Sequence, residues 1–262
     1  MWEKADLDGL YDAIFHRKSV RKYEQTELDE STLESILQKT HELISPLPRC
    51  PVAFRILAKQ QVKGVNPVKS PHYLAVYAEE GPEARVNAAF KLQQMDLWLS
   101  MQGFGCCWLG MPNPASDVKK ADGLPFAIML SFGYPAEEVH RRNISEFKRK
   151  PLSEITNLYG MDRLFEPVRL APSAINRQPW YLTGDAASVR LCCKNGSLIS
   201  KAVLGDMPQI DLGIALCHMW LSAEKEERFI SFEREQISRK IPNGYTYIWT
   251  VKMDRHRRAK MQ

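Results

Sequence analysis

Two stretches of this chain cannot lie as helices on a surface, and that restricts the fold more than any other feature. Between about residues 82 and 102 the apolar side chains form two stripes at helical spacing. Val86, Ala89, Phe90, Leu97 and Met101 make one, and Leu92, Met95 and Leu99 the other. Between about residues 209 and 224, Ile210, Leu212, Ile214, Leu216, Met219, Trp220 and Leu221 leave almost no polar face. A helix that is apolar on more than one side is buried on more than one side. Each stretch sits in a similar order of elements. HYLAVYA (72–78) precedes the first and FAIMLSFG (126–133) follows it. The pair WYLTG and SVRLCCK precedes the second, and RFISFE and YTYIWTV follow, the last after an Asn-Gly turn. This order predicts two αβ halves, residues 1–155 and 156–262, packed on one another through the two helices.

The rest of the sequence narrows the class. At 262 residues, with 44% hydrophobic and 26% charged, the chain can bury a full core and carries no mark of disorder. No run approaches the roughly 18 apolar residues of a membrane span. The opening MWEKADLDGLYDAIF is acidic where a signal peptide would be basic, so a cytoplasmic protein without a membrane partner is expected. Six cysteines fall in no C-x-x-C arrangement and read as reduced packing thiols, and six histidines show no metal spacing, so no metal is expected. The basic run RHRRAK (255–260) could touch nucleic acid, but it has no aromatics interleaved with it and reads as a frayed tail, so no nucleic-acid partner is expected. No nucleophile motif is present, so hydrolysis has no support.

Local patterns place the remaining elements. Leu7, Leu10, Tyr11, Ile14 and Phe15 form an amphipathic stripe that ends at HRKSVRKY. Ser31 and Glu34 make a capping box that predicts a second helix over about residues 31–43. LAPSAINRQPWYL (170–182) holds two prolines, and reads as an ordered loop between a helix ending near Leu170 and a strand starting near Trp180.

Three motifs can carry chemistry. Arg17, Lys18, Ser19, Arg21 and Lys22 gather four cations and a hydroxyl, a set suited to a phosphorylated ligand, although a solvated basic helix end has the same composition. Arg141, Arg142, Lys148, Arg149 and Lys150 form a second basic group. GFGCCWLG (103–110) follows a helix and matches neither dinucleotide nor P-loop spacing.

Taken together, HRKSVRKY, GFGCCWLG, FGYPAEE, RKPL and APSAINRQPWYL resemble the FMN-dependent nitroreductase family, over nearly the whole chain. APSAxNxQPW is the specific block. It stands after RKPL, as in a tandem subgroup with two nitroreductase-like halves in one polypeptide. The resemblance implies an α+β, nitroreductase-like fold, here an intramolecular pseudo-dimer of the two αβ halves, with FMN as cofactor and NAD(P)H as electron donor. It assigns the phosphate to Arg17, Ser19 and Arg149, with Lys18 and Lys150 beside them, and the flavin pyrimidine to Arg21. The backbone around Trp108, Leu109 and Gly110 is placed near N5, and Pro172, Ser173, Ala174 and Asn176 along the ring. No side chain is catalytic in the acid–base sense, because the flavin carries the chemistry. The implied activity is ping-pong hydride transfer through flavin N5 to a nitroaromatic, quinone or flavin-like small-molecule acceptor. Alternatives are reductive dehalogenation on the same fold or a degenerate flavin-binding protein. Each motif block occurs once, so one FMN per chain is expected, even in a monomer.

Overall fold

The computed structural model describes residues 2–65, 68–196, 205–234 and 241–254. The basic run 255–260 lies outside the described residues. The chain divides into two compact units, Met1–Glu146 and Phe147–Gln262. The segment RKPL, which the division at 155/156 assigns to the first half, is thus part of the second unit.

The first unit opens with α1 (Lys4–Ile14), whose Leu10, Ala13 and Ile14 are buried, and α2 (Glu30–Lys39). The α2 start differs from the Ser31/Glu34 expectation. Asp29 is the N-cap, its carboxylate accepting from Thr32 N–H at 2.9 Å, and Ser31 Oγ also donates to it. An ionised cap satisfies an orphan N–H and favours the positive helix end at once, so it displaces the serine. α2 passes into a 3₁₀ turn, Thr40–Glu42, so the α-helix is shorter than the predicted span.

The sheet of this unit is antiparallel throughout. β1 (Val52–Ala58) pairs with β3 (His72–Ala78), β3 with β7 (Leu124–Gly133), and β7 with β4 (Gly105–Leu109). β6 (Lys120–Ala121) pairs with the start of β7, and the short β2 (Val62–Lys63) and β5 (Asn113–Pro114) pair with each other. β1 is not anticipated by the sequence reading, because PLPRCP masks its start and Arg55 interrupts its apolar pattern. β3 is buried at every residue, which is why HYLAVYA reads as a continuous apolar run rather than an alternation. α3 (Pro82–Met101) is buried around its circumference, as its two stripes require: Val86, Phe90, Leu92, Met95, Leu97 and Leu99 are all fully buried. Val20, Tyr23, Leu57, Tyr73, Tyr77 and Met129 belong to one apolar cluster of this unit.

The second unit begins with α4 (Leu152–Ile155) and α5 (Asp162–Leu170), followed by the loop 171–179. Its sheet is antiparallel, in the order β10 (Phe229–Glu233), β11 (Tyr245–Asp254), β9 (Ser188–Lys194), β8 (Trp180–Asp185). β8 and β9 form a tight hairpin with Asp185 opposite Ser188. Gly184, at φ +119°, is required there, since a Cβ would lie 2.2 Å from Ser188 O. α6 (Met207–Lys225) packs on α5 and is buried from Ile210 to Ala223 without interruption. That is the burial its nearly all-apolar sequence demands.

Candidate functional site

The basic segment after α1 is drawn into the sheet of the first unit. Ser19 bridges to Cys106 of β4, Val20 N–H donates to Cys106 O at 2.9 Å, and Arg17 bridges to His140. The approach depends on Gly105, where a Cβ would meet Val20 Cγ1 at 2.6 Å. Two of the sequence motifs, RKSVR and GFGCCWLG, are therefore one structural assembly. It contains Ser19, Cys107 and Trp108, and Arg21 acts on Cys107 through its charge.

The cations of this assembly have different surroundings. Arg17 is 1% exposed, and its Nε lies 3.2 Å from the carboxylate of Asp96, itself fully buried on α3. Burial pushes the Asp96 carboxyl above its ordinary range, and the Arg17 charge pulls against this. The Arg17 Nη2 end lies 3.5 Å from Ser19 Oγ. Arg21 is exposed; its Nη1 donates to Ser19 O at 3.4 Å, while its backbone N–H and that of Lys22 donate to Glu137 Oε1. Those backbone donors, Arg21 first, hold the Glu137 carboxyl below its usual range. Lys18 lies 4.0 Å from Glu137. Trp108 is half-buried and donates through Nε1 to Gln93 Oε1 at 3.2 Å, Leu109 is buried and Gly110 exposed. Burial raises both the Cys106 and Cys107 thiols, and all six cysteines are free. Cys106 and Cys107 are buried in the packing of this unit.

In the second unit the loop 171–179 is bound to RKPL by a dense set of hydrogen bonds. Arg149 donates through Nε to Ala171 O at 3.0 Å, through Nη2 to Leu170 O at 3.3 Å, and through Nη1 to Asn176 Oδ1 at 2.8 Å. Asn176 Nδ2 donates to Lys148 O at 2.7 Å. Lys150 Nζ reaches Arg177 O and Gln178 O, both at 3.1 Å, and Lys150 N–H donates to Gln178 Oε1 at 2.8 Å. Ser173 Oγ accepts from Gln178 N–H at 2.9 Å and so closes the loop on itself. Arg149 and Lys150, chosen from the sequence for their charge toward a phosphate, are here partners of the loop.

The loop backbone is strained. Ile175, Asn176 and Gln178 stand at φ +46°, +59° and +50°. Asn tolerates this region, but a β-branched Ile there is a genuine outlier, and such strain concentrates at functional sites. Ile175 is 83% exposed, so the conformation is not explained by burial of its side chain. Ser173 and Ala174 are half-buried, Asn176 exposed and Pro172 buried. One residue of this arrangement lies outside every motif read from the sequence. Asp211 of α6, 3% exposed, accepts Ala174 N–H on Oδ1 at 2.8 Å. It sits inside a nearly all-apolar helical run, and that interruption is the only sign of it.

Residues 9–223 match the family model described as "Putative TM nitroreductase". The chain belongs to this family. A "putative nitroreductase" of Thermotoga maritima is similar to it at 21% identity and a TM-score of 0.63, with 94% of each chain covered, and establishes the α+β nitroreductase-like fold. A nitroreductase family protein of Clostridium novyi NT is 20% identical at a TM-score of 0.40, over 49% of this chain and 86% of that one. A "putative nitroreductase" of Desulfovibrio desulfuricans, solved in complex with FMN, is 18% identical at 0.40, over 58% and 95%. No curated protein sequence matches significantly. No helix among the described residues is long and apolar enough to cross a membrane, and none of their His, Cys, Asp and Glu side chains cluster to hold a metal ion.

The residues present fit a flavin mononucleotide in kind. Exposed Arg21 and half-buried Lys18 and Ser19 offer charge and donors to a phosphate or an electron-rich ring edge. Small Ser173 and Ala174 beside an exposed Asn176 offer close approach and an amide to a planar heterocycle.

Proposed function

We propose that this nitroreductase-family chain is an FMN-dependent NAD(P)H oxidoreductase of the tandem subgroup, working by a ping-pong cycle on small-molecule acceptors such as nitroaromatics, quinones or flavins. The single observation that carries the reading is the loop 171–179. Three non-glycine residues are held at positive φ by a cage of side chains, and the loop sequence is the one most specific to the family. Bound FMN would supply the centre that takes up hydride and passes electrons on.

The chain's own part is binding and orientation. Asp96 holds Arg17 by its Nε and leaves the Nη end beside Ser19, an arrangement suited to a phosphate. Arg21 and Lys18 add attraction for the anion, and Arg21 suits the ring edge that becomes negative on reduction. The backbone at Trp108, Leu109 and Gly110 is proposed to approach the ring. Asn176, oriented by Arg149 and Lys148 O, presents its amide at a fixed angle, while Pro172, Ser173 and Ala174 keep the loop low enough to lie along a ring. Arg149 and Lys150 act on the cofactor chiefly through the loop they support.

The test is the purified protein itself. It is expected to be yellow, to release FMN and not FAD on denaturation, to bind one FMN per chain, and to oxidise NADH or NADPH with at least one acceptor of a nitroaromatic and quinone panel. Two FMN per chain would overturn the tandem assignment. Bound FMN without turnover would favour a binding protein, and a colourless chain that cannot take up FMN would overturn the reading.

A further inference from the structure

The strained loop has supports on two sides, and only one of them is visible in the family motif. Arg149 and Lys150 hold the Asn176–Gln178 end. At the other end, Ala174 N–H, immediately before the left-handed Ile175 and Asn176, is taken by Oδ1 of Asp211. Its neighbours on α6, Ile210, Leu212 and Ile214, are buried apolar residues, and an apolar side chain would fill this position with less desolvation than a carboxyl. The carboxyl is therefore there for the hydrogen bond.

We propose that Asp211 is a positioning residue of the flavin-contacting loop, fixing Ala174 so that Ile175 and Asn176 are held in the conformation that presents Asn176. This rests on the reading of that loop as a cofactor-contacting segment. Burial pushes the Asp211 carboxyl up to about 8, against the pull of the Ala174 N–H and of Arg177. The Cys193 thiol, which Asp211 helps to raise, is pushed up to about 11 chiefly by its own burial, so it stays neutral alongside. Oδ1 accepts the N–H whether or not the other oxygen carries a proton, so the support does not depend on ionisation. Asp211→Asn keeps a carbonyl oxygen for Ala174, whereas Asp211→Ala removes it.

Two measurements on the full chain separate this role from the flavin reading. The first needs no cofactor: trypsin cleavage at Arg177–Gln178, followed by mass spectrometry. It is expected to speed up about tenfold in Asp211→Ala, the scale of one buried donor left without its acceptor, and to stay near the wild-type rate in Asp211→Asn. The second is titration with FMN, in which the Kd is expected to rise about tenfold in Asp211→Ala and to be rescued in Asp211→Asn. Should Asp211→Ala fail to fold, Asp211→Leu, which fills the position without an acceptor, carries the same comparison. A folded Ala or Leu variant that is cut and binds FMN like wild type overturns the proposal. So does an Asn variant as impaired as Ala, or a cleavage change with FMN affinity equal in all variants. If the cleavage order holds while even the wild type binds no FMN, the support of the loop stands and the flavin reading falls.

Discussion

Replacing Arg17 with Met, which is apolar and of similar length, would expose how far the basic assembly depends on one buried ion pair. With Nε 3.2 Å from the Asp96 carboxylate, the attraction is about 5 kcal/mol at an effective dielectric of about 20. Both side chains are buried, at 2% and 0% exposure, so solvent does little to screen the pair. Most of that attraction offsets the cost of dehydrating the two charges, but deleting one partner strands the other, and such deletions cost about 3–5 kcal/mol. For a chain of this size the expected fall in Tm is about 10 °C. The pH dependence identifies the cause. The Asp96 carboxyl is already raised in the native chain, and loss of Arg17 raises it further. A carboxyl whose folded pKa lies above its unfolded value near 4 holds a proton that the unfolded chain releases, so its contribution is present at low pH and lost as pH rises. Arg17→Met should therefore be closest to wild type near pH 5 and furthest from it near pH 8, and the double variant Arg17→Met, Asp96→Leu should recover a large part of the loss. Urea unfolding at the two pH values measures both. A single variant as stable as wild type at pH 8, or a double variant no better than the single, would refute the buried-pair account.

Two further outcomes follow from local geometry. His72 Nε2 accepts the Leu28 N–H at 2.9 Å, which requires the ring neutral, and burial lowers its pKa. The unfolded chain therefore takes up a proton near pH 6.5 that the folded one refuses, so stability should fall as pH drops below about 6.5, and an NMR titration of His72 with a midpoint at or above the ordinary value would contradict this. Ile175→Asn should relieve about 1–2 kcal/mol of left-handed strain and raise the unfolding midpoint, because the exposed Ile side chain gives up little burial in exchange; a lowered midpoint would mean that Ile175 has a packing role the structure does not contain.

How much of this could be read from the sequence depends on the range of the cause. β3, α3 and α6 announce themselves because one-dimensional hydrophobic pattern and burial coincide in them, and the ends of α5 and β8 around the loop follow from Pro172 and Pro179. Asp29 outcompeting Ser31 for the cap is a contest between two good candidates two residues apart, which pattern alone does not decide. The site divides in the same way. The resemblance in the motif blocks singles out Arg17, Ser19, Arg149 and Asn176, yet nothing in those blocks says that Arg17 is buried against Asp96, 79 positions away, or that Arg149 donates to Asn176. A cation in a motif and a cation facing solvent are the same letter. Asp96 and Asp211 show the limit most clearly. Each is an acid on a helix that is buried nearly all round, a pattern that looks like a defect until its distant partner is known. Because a buried carboxyl survives only with a partner, each such interruption points to a contact elsewhere in the chain. In this protein the two contacts fall on Arg17 and Ala174, one in each of the two motifs on which the cofactor reading rests.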